Sequence, residues 1–190
     1  MPTSGVRLAR TPDVDDIGAV NVRAWRGRFA GVIPAEVLEA FDPADLAIVW
    51  ARAILHPPTP SYRLLVAVHD DVIVGYAAIG PSQDPDAEPT TGELVALEVD
   101  PDRVGEGHGS RLMAAAVDHA RALGVESLVA WCALPDEARR AFLQSAGWGP
   151  DTAFRDMAVG QDPDGSPIVV REVRLVTDLT AADLSRTEPA

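Results

Sequence analysis

The sequence predicts a mixed α/β fold with mostly antiparallel strand pairs and one parallel strand–helix–strand crossover. An apolar, β-branched run at residues 92–99 is followed by a glycine loop and then by a long amphipathic helix pattern. Another apolar run, at residues 128–132, comes next and lies parallel to the first by the usual crossover rule. The other strand-like runs are joined by polar turns, which favours antiparallel hairpins.

The first third of the chain is predicted to contain one strand and three helices. Thr11-Pro12-Asp13 is typical of a helix start, because it offers a hydroxyl cap, a proline at the first helical position and an acid in the first turn. Asp42-Pro43 begins another helix, which ends at the prolines of residues 57–60 because proline removes a backbone donor. The boundaries are a strand at 6–10, a helix from 11 to about 28, a helix after loop 31–34 that runs through Phe41, and a last helix with an apolar face of Leu46, Val49, Trp50 and Ile54.

Two hairpins are predicted on either side of the crossover. The first turns at His69-Asp70-Asp71, and the last turns at Asp162-Pro163-Asp164-Gly165. The crossover helix has a broad apolar stripe and ends at Gly124. The other boundaries are strands at 64–68, 72–79, 154–159 and 168–176, a polar loop at 81–90, a short helix at 135–146 closed by Gly147, a domain that spans residues 1–179 and a loose tail at 180–190.

Length and composition predict one domain in a reducing compartment. A chain of 190 residues buries roughly 70% of its unfolded surface on folding, which is enough for a core without covalent staples. Cys132 is the single cysteine, and we expect no signal peptide and no membrane span, which together favour a cytoplasmic protein. The net charge of −13 argues against a nucleic-acid partner and suits cationic acceptors such as amines.

Glycines at positions 105, 107 and 109 separate the strand at 92–99 from the crossover helix. Glycine adopts positive φ and lets a ligand approach the backbone closely. The N–H groups of a helix that begins here point at whatever lies over the loop, and the helix dipole favours an anion. The segment therefore predicts a site for a phosphorylated ligand, with a plain glycine-rich turn as the alternative.

Three kinds of phosphate-binding loop are candidates for this segment. A P-loop ends in Gly-Lys-Ser/Thr, and this chain has no lysine. A dinucleotide-binding loop has the spacing Gly-x-Gly-x-x-Gly and an acid about 20 residues later, but the spacing here is Gly-x-Gly-x-Gly and residues 127–131 contain no acid. The third kind, Gln/Arg-x-x-Gly-x-Gly/Ala after a strand that ends near a proline, fits residues 104–109, except that Val104 stands at the Gln/Arg position with Arg103 beside it.

This third loop is the pyrophosphate loop of the GCN5-related N-acetyltransferase (GNAT) family, which the chain resembles from about residue 7 to residue 179. The other matching landmarks are residues 7–13, 74–77, 92–97 and 142–148. The resemblance implies a central, mostly antiparallel mixed sheet that is splayed around the crossover and carries helices on both faces. It also implies an enzyme that transfers an acetyl group from acetyl-CoA to an amine acceptor without a metal, and that is often a homodimer.

The resemblance places acetyl-CoA between the splayed strands. By position, backbone groups of Leu97 and Val99 would pair with its pantetheine arm. His108 is expected to act through its backbone N–H and not through its ring. The residues that would hold the pyrophosphate through backbone N–H groups are Val104, Gly105, Glu106, Gly107, His108, Gly109 and Ser110.

The helix after the crossover departs from the family pattern at two positions. Family members often carry a tyrosine four residues before a Gly-aromatic pair, where it protonates the leaving thiolate. That position holds Leu143, which has no proton to give. An asparagine seven residues earlier often contacts the cofactor, and here it is Asp136, which fits a helix cap equally well.

The loss of the tyrosine does not by itself exclude catalysis, because a CoA thiol of pKa about 8–9 is acidic enough to leave with help from water. Tyr76 and Cys132 are conceivable donors, although Cys132 fits an inert core thiol better.

The chemistry needs a base, because an alkyl amine of pKa about 10.4 is mostly protonated at pH 7 and its deprotonation costs roughly 4–5 kcal/mol. Glu93 stands where the resemblance places a glutamate general base. Glu98 is the alternative, on the opposite face of a regular strand and on the same face if a bulge intervenes. Either residue could instead be an ordinary solvated or salt-bridged glutamate. A backbone N–H near residues 97–99 would hold the oxyanion.

The resemblance places the acceptor pocket near the loop between the first helices. Trp25, Phe29 and Ile33 are candidates to line this pocket and Tyr76 to border it, although aromatic residues of helices and strands are more often core. No metal is expected, because no metal-ligand spacing is found among the four histidines, which are His56, His69, His108 and His119.

Three functions remain open at this point. The motif order favours an N-acetyltransferase that acts on a small amine or on an exposed protein amine. Leu143 and Asp136 also fit a non-catalytic acyl-CoA-binding sensor or assembly protein that has kept the fold. Leu143 also fits the transfer of a bulkier acyl group, because a leucine in place of the tyrosine changes the space near the thioester.

Overall fold

The computed structural model describes residues 3–162 and 164–180. The strands are β1 (Ser4–Leu8), β2 (Arg63–His69), β3 (Val72–Pro81), β4 (Thr91–Val99), β5 (Ser127–Ala133), β6 (Gly149–Gln161) and β7 (Pro167–Asp178), and the helices are α1 (Val14–Phe29), α2 (Ala35–Glu39), α3 (Pro43–Leu55), α4 (His108–Ala122) and α5 (Glu137–Ser145). The strands form a sheet of order β1-β2-β3-β4-β5-β7-β6. Strands β4 and β5 are parallel, and the other neighbouring pairs are antiparallel. The predicted fold class is therefore confirmed.

Helices pack on both faces of the sheet. The buried side of α4 presents Leu112, Met113, Ala116 and Ala120 to a core that includes Leu94 and Leu97 of β4. The opposite face packs on α1 through a second core, in which Ile17 and Val20 contact Tyr76 of β3. Among the helices in the described part of the chain, none is both long and apolar enough to cross a membrane.

Some predicted boundaries and faces are wrong. The helix begins at Thr11 as predicted, with residues 11–13 as a 3-10 turn continuous with α1, but the predicted hydroxyl cap is wrong, because the cap residue is Arg10 and Asp13 accepts from its backbone N–H at 2.7 Å. Val49 was predicted on the buried face of α3 but is 55% exposed, and Ala47 is buried instead. Strand β6 begins at Gly149, before the predicted residue 154. Apart from Thr180, the predicted tail lies outside the described residues.

A bulge in β4 decides which side chains face α1. Ala78 of β3 pairs with Ala96, but the next residue, Ile79, pairs with Leu94, so that Val95 is the extra residue. Leu94 and Leu97 consequently both pack in the core under α4. Side chains on either side of the bulge, including those of Glu93 and Glu98, line one cavity on the opposite face.

Strands β4 and β5 separate after a short paired segment. Residues 91–93 pair with residues 127–129, and no further pairs of these two strands occur in the described residues. The second half of β4 therefore has β3 on one side and an open gap on the other. Helix α5 begins at this gap, where Asp136 caps it.

Candidate active site

The glycine loop lies at the N-terminus of α4. Gly105 and Gly107 have φ of 87° and 80°, a left-handed conformation that glycine adopts without strain. Gly107 is the cap residue and His108 is the first residue of the helix. A Cβ at Gly105 would meet no atom within 4 Å, so the loop is open to solvent there. The first N–H groups of a helix have no intrahelical partner, and this opening leaves them available to an anion.

Two arginines add positive charge to this loop in an otherwise acidic chain. Arg103 lies 3.3 Å from the Glu106 carboxylate. Arg111 donates to the Glu106 carbonyl oxygen at 3.0 Å, so its guanidinium lies against the loop backbone. Slight desolvation would raise the pKa of Glu106, but contacts with His108 and Arg103 hold it below its ordinary value. The loop therefore combines backbone donors, a helix N-terminus and cationic side chains.

A cavity of about 200 Å³ lies on the other side of β4, below α1 and α3. Three predicted acceptor-site residues, Trp25, Phe29 and Tyr76, line this cavity. Ile33 does not reach it and packs instead in a separate core with Phe29 and Leu38. Further side chains of the lining are the polar Asn21, the aromatic Trp50 and Trp131, and the apolar Met157.

The three carboxylates of the cavity have different surroundings. Glu98 is 5% exposed and binds the Arg28 guanidinium, with Arg139 3.8 Å away. Glu172 binds Arg155 at 2.7 Å. Burial raises the pKa of Glu93, while Arg155 and a backbone N–H of Gln83 partly oppose that shift. Among residues 3–162 and 164–180, no arginine forms an ion pair with Glu93.

A buried charge network lines the gap beside the second half of β4, at the start of α5. Arg28 binds Asp136 through Nε at 2.8 Å as well as Glu98. Burial alone would lower the pKa of Arg28, but these two carboxylates raise it above its ordinary value. Asp136 also accepts from the Arg139 backbone N–H at 3.0 Å, which confirms the predicted helix cap. Its contact with a cofactor stays a prediction.

The gap presents backbone groups of β4. The Leu97 carbonyl oxygen accepts from Arg139 Nη1 at 2.6 Å, so it points away from β3 and into the gap. Backbone groups alternate in direction along a strand, so Val99 presents its own groups to the same side. Leu97 and Val99, predicted from position alone, thus lie on the side of β4 that β5 leaves unpaired.

A model of the acetyltransferase (GNAT) family matches residues 28–148, which include β4, the gap, the glycine loop and most of the residues that line the cavity. The chain belongs to the GNAT family of acetyltransferases. It is accordingly an acyltransferase. The resemblance drawn from the loop, the crossover and the strand pattern is confirmed.

This GNAT enzyme is similar to a curated relative in sequence and to solved structures in fold. The uncharacterized N-acetyltransferase YuaI of Bacillus subtilis (strain 168) is 26% identical over 128 residues, which are 66% of this chain and 69% of the relative. The ribosomal-protein-alanine N-acetyltransferase of Brucella melitensis has a TM-score of 0.67 and 22% identity over 91% of this chain and 98% of its own. The Salmonella typhimurium protein yncA, solved with its cofactor acetyl-CoA, has a TM-score of 0.63 and 24% identity, with 93% and 94% of the two chains covered.

The two conceivable proton donors of this GNAT enzyme, Tyr76 and Cys132, are both buried. Leu143 is completely buried in the core under α4. Burial raises the pKa of the Cys132 thiol, and burial also raises the pKa of Tyr76 well above its ordinary value. Raised pKa values make both side chains weaker acids, which disfavours either as a donor to the thiolate.

Two histidines that are far apart in the sequence meet beside the loop of the GNAT enzyme. His69, Glu106 and His108 offer ligand atoms that lie within 4.8 Å of one another, although their sequence spacing gave no metal signal. His108 Nδ1 lies 3.0 Å from Arg111 Nη2, and Nε2 lies 3.3 Å from the Glu106 carboxylate. The neighbouring guanidinium disfavours a metal cation there because like charges repel. His108 is 1% exposed, and the role expected of its backbone N–H stays a prediction.

Sequence reasoning missed the arginines of the GNAT site. Arg28, Arg139 and Arg155 carry no motif, and their partners lie 17 to 70 positions away in the chain. One signal was available for Arg139, because it precedes Leu143 by four residues and shares its helix face. Trp131 and Glu172 lie on strands β5 and β7, whose pairing brings them to the cavity.

Proposed function

We propose that this enzyme transfers the acetyl group of acetyl-CoA to a primary amine that binds in the cavity, with Glu93 as the general base. The observation that carries the proposal is the difference between the three cavity carboxylates. Glu98 and Glu172 are paired with arginines, while burial raises the pKa of Glu93 against the opposing charge of Arg155, with which Glu93 forms no ion pair in the described residues. A carboxylate of raised pKa without an ion-pair partner is suited to accept a proton near neutral pH.

The glycine loop and the gap support acetyl-CoA as the co-substrate. The open N-terminus of α4, with Arg103 and Arg111 beside it, suits a pyrophosphate. The gap along Leu97 and Val99 suits an amide-bearing arm that pairs with strand backbone. When bound, acetyl-CoA supplies an activated acetyl thioester. Glu93, the loop and the gap would then act on a thioester and an amine brought together across β4.

Each group has a separate task in this proposal. Glu93 takes the proton of the ammonium, directly or through a water molecule, which overcomes roughly 4–5 kcal/mol of pKa difference for an alkyl amine. The backbone N–H groups near residues 97–99 stabilise the negative charge that develops on the carbonyl oxygen. The aromatic lining, which includes Trp25, Phe29 and Tyr76, holds the apolar body of the acceptor.

The acceptor class follows from the size and charge of the cavity. Arg28, Arg139 and Arg155 are matched there by Glu98, Asp136 and Glu172, so Glu93 gives the site an excess negative charge. Several aromatic faces and one excess carboxylate favour a cationic amine with a small apolar body, free or at an exposed position of a protein. A cytoplasmic location and a homodimer belong to the same proposal, supported by the unpaired Cys132 and by the family. Fractionation of cells and light scattering test these two points.

The decisive experiment is CoA release from acetyl-CoA with a panel of primary amines, run on the unsubstituted protein and on Glu93→Gln. We expect turnover with at least one amine and a loss of about 10²- to 10⁴-fold in kcat/KM for the variant. Glu88→Gln, an exposed substitution on the preceding loop, is the matched control and should keep full activity. Calorimetry with acetyl-CoA on the same samples separates binding from catalysis.

Three outcomes would contradict the proposal. Binding of acetyl-CoA without turnover on any amine would leave only an acyl-CoA-binding role. Turnover that is unchanged in Glu93→Gln would remove Glu93 as the base. Faster release of CoA from longer acyl-CoA esters than from acetyl-CoA would replace acetyl transfer with transfer of a bulkier acyl group.

A further inference from the structure

The Arg139 side chain lies across the gap between β4 and β5. Its Nη1 donates to the Leu97 carbonyl oxygen at 2.6 Å, and the side chain is 10% exposed. Its backbone N–H is held by the Asp136 cap at the start of α5. Arg139 is therefore held at its backbone by the helix cap and at its guanidinium by strand β4.

We infer that Arg139 stabilises the thiolate of CoA as it leaves, in place of the proton donor that position 143 lacks. The inference rests on the proposed function. In the transfer, the amine nitrogen forms a bond to the acetyl carbon and the carbon–sulfur bond breaks, so that the electron pair of that bond stays on sulfur. Glu93 passes the ammonium proton to solvent before the bond forms, and it takes the second proton of the amine nitrogen as the carbon–sulfur bond breaks. The sulfur remains an anion beside Arg139 until it takes a proton from water.

The helix geometry supports this assignment. Residues four apart share a helix face, so Arg139 lies one turn before Leu143 on the side of α5 that faces the gap. Leu143 is packed in the core and has no ionisable group. A long cationic side chain one turn earlier reaches the region that a tyrosine at 143 would serve.

The charge distribution in the network also supports it. Arg28 makes close contacts with two carboxylates, those of Glu98 and Asp136. Arg139 instead makes its close contact with a neutral carbonyl oxygen, and its separation from Glu98 is 3.8 Å. Within the described residues, Arg139 is therefore the cation of this network whose charge is least compensated at short range. An anion that binds in the gap would therefore give Arg139 an ionic partner at short range.

A sulfur atom of the protein already lies near this guanidinium. The Cys132 thiol projects from β5 beside the gap, and burial raises its pKa. Arg139 opposes that shift through its charge and a hydrogen bond to the sulfur. A second thiol that enters the same gap would meet the same guanidinium.

The test is the ionisation of the CoA thiol in the bound state, followed by the ultraviolet absorbance of the thiolate as pH is raised. An opposite charge within hydrogen-bond range lowers a pKa by about 1–3 units, which is about 10- to 1,000-fold in the ionisation constant. We expect that lowering in the unsubstituted protein, its loss in Arg139→Met and its partial return in Arg139→Lys. Arg140→Met is the matched control, since Arg140 lies on the same helix and donates to the Ala133 carbonyl outside the gap.

A second readout excludes a purely structural effect. Desulfo-CoA lacks the sulfur, so Arg139→Met should weaken the binding of CoA at pH 8 more than that of desulfo-CoA. A bound thiol that titrates alike in the parent and in Arg139→Met would overturn this inference and leave the proposed function standing. Failure of the parent to bind CoA at all would overturn the proposed function and the inference together.

Discussion

Glu93 and Glu98 face the same cavity although they lie five positions apart on one strand. In a regular strand such residues point to opposite faces, and the extra residue at Val95 brings them to the same one. Their surroundings differ sharply. Glu98 is bound by arginines, whereas Glu93 is half-buried beside a backbone donor. The bulge thus places a structural carboxylate and a protonatable carboxylate in one site.

The first prediction concerns the stability of Glu93→Gln. Burial raises the folded-state pKa of Glu93 above its ordinary value of 4.5. Between the unfolded and folded pKa values the folded state binds more protons, so stability falls as pH rises through that window. We expect Glu93→Gln to unfold at higher urea than the parent at pH 8, and the difference to vanish well below 4.5. Lower stability of the variant at pH 8 would contradict a destabilising, functional carboxylate.

The same shift predicts the pH dependence of catalysis. A base must be deprotonated, so kcat/KM should fall as pH is lowered through the raised pKa of Glu93. The acid limb of the profile should therefore lie above the ordinary value of a glutamate. It should be absent from the residual activity of Glu93→Gln and unchanged in Glu88→Gln.

Glu98→Gln is expected to lower the stability of the protein, whereas Glu93→Gln is expected to raise it at pH 8. Removing this charge leaves Arg28 and Arg139 partly uncompensated in a buried site, which costs about 3–5 kcal/mol of unfolding free energy. Urea unfolding measures this loss, and Glu137→Gln, exposed in the first turn of α5, is the control with a change of about 0.5 kcal/mol or less. A loss in Glu98→Gln as small as that of the control would contradict a structural role for Glu98.

The fold could be predicted because its signals are local. The run at 92–99, the glycine loop and Gly124 predict the strand–helix–strand crossover, and each of these segments takes the predicted form. The caps at Asp42 and Asp136 were likewise visible in the sequence and accept the expected backbone N–H groups. Where local signals competed, the prediction failed, as at Thr11, whose hydroxyl does not cap the first helix because Asp13 accepts from the Arg10 backbone N–H.

The site could be predicted only in part because it depends on distant contacts. The loop and the backbone of Leu97 and Val99 follow from motif position. The bulge at Val95 decides to which face of β4 the Glu98 side chain points, and the sequence predicted a bulge only as an alternative. The pairing of Arg28 with Glu98 joins residues 70 positions apart, and no periodicity in the sequence encodes it. Contacts between residues distant in the sequence, and not a local sequence pattern, therefore give Glu93 and Glu98 their different charge surroundings.

Arg174 should support the base from a distance. Its guanidinium binds Asp84, Asp86 and Asp151 at 2.7–2.9 Å, and these contacts raise its pKa above the ordinary value. Two of these acids lie on the loop that carries Gln83, whose N–H contacts Glu93. We expect Arg174→Met to lower both stability and kcat.

The matched control for Arg174→Met is Arg171→Met, because Arg171 pairs with Asp156 on the same strand pair but both side chains are about half exposed. An exposed pair of this kind contributes about 1 kcal/mol or less. Chemical denaturation and steady-state kinetics on both variants make the comparison. Equal effects in the two would show that the loop anchored by Arg174 has no particular role.

The two ends of α4 offer the sharpest test of the glycine loop. Gly107 and Gly124 have φ of 80° and 78°, so alanine meets a similar backbone penalty of about 1–2 kcal/mol at each. A Cβ at Gly124 meets no atom within 4 Å, and at Gly107 it meets the flexible end of Arg111 at 3.1 Å. We expect Gly107→Ala and Gly124→Ala to lower unfolding free energy by similar amounts, while Gly107→Ala alone weakens CoA binding in calorimetry. Equal CoA affinity in the two variants would mean that the N-terminus of α4 does not hold the pyrophosphate.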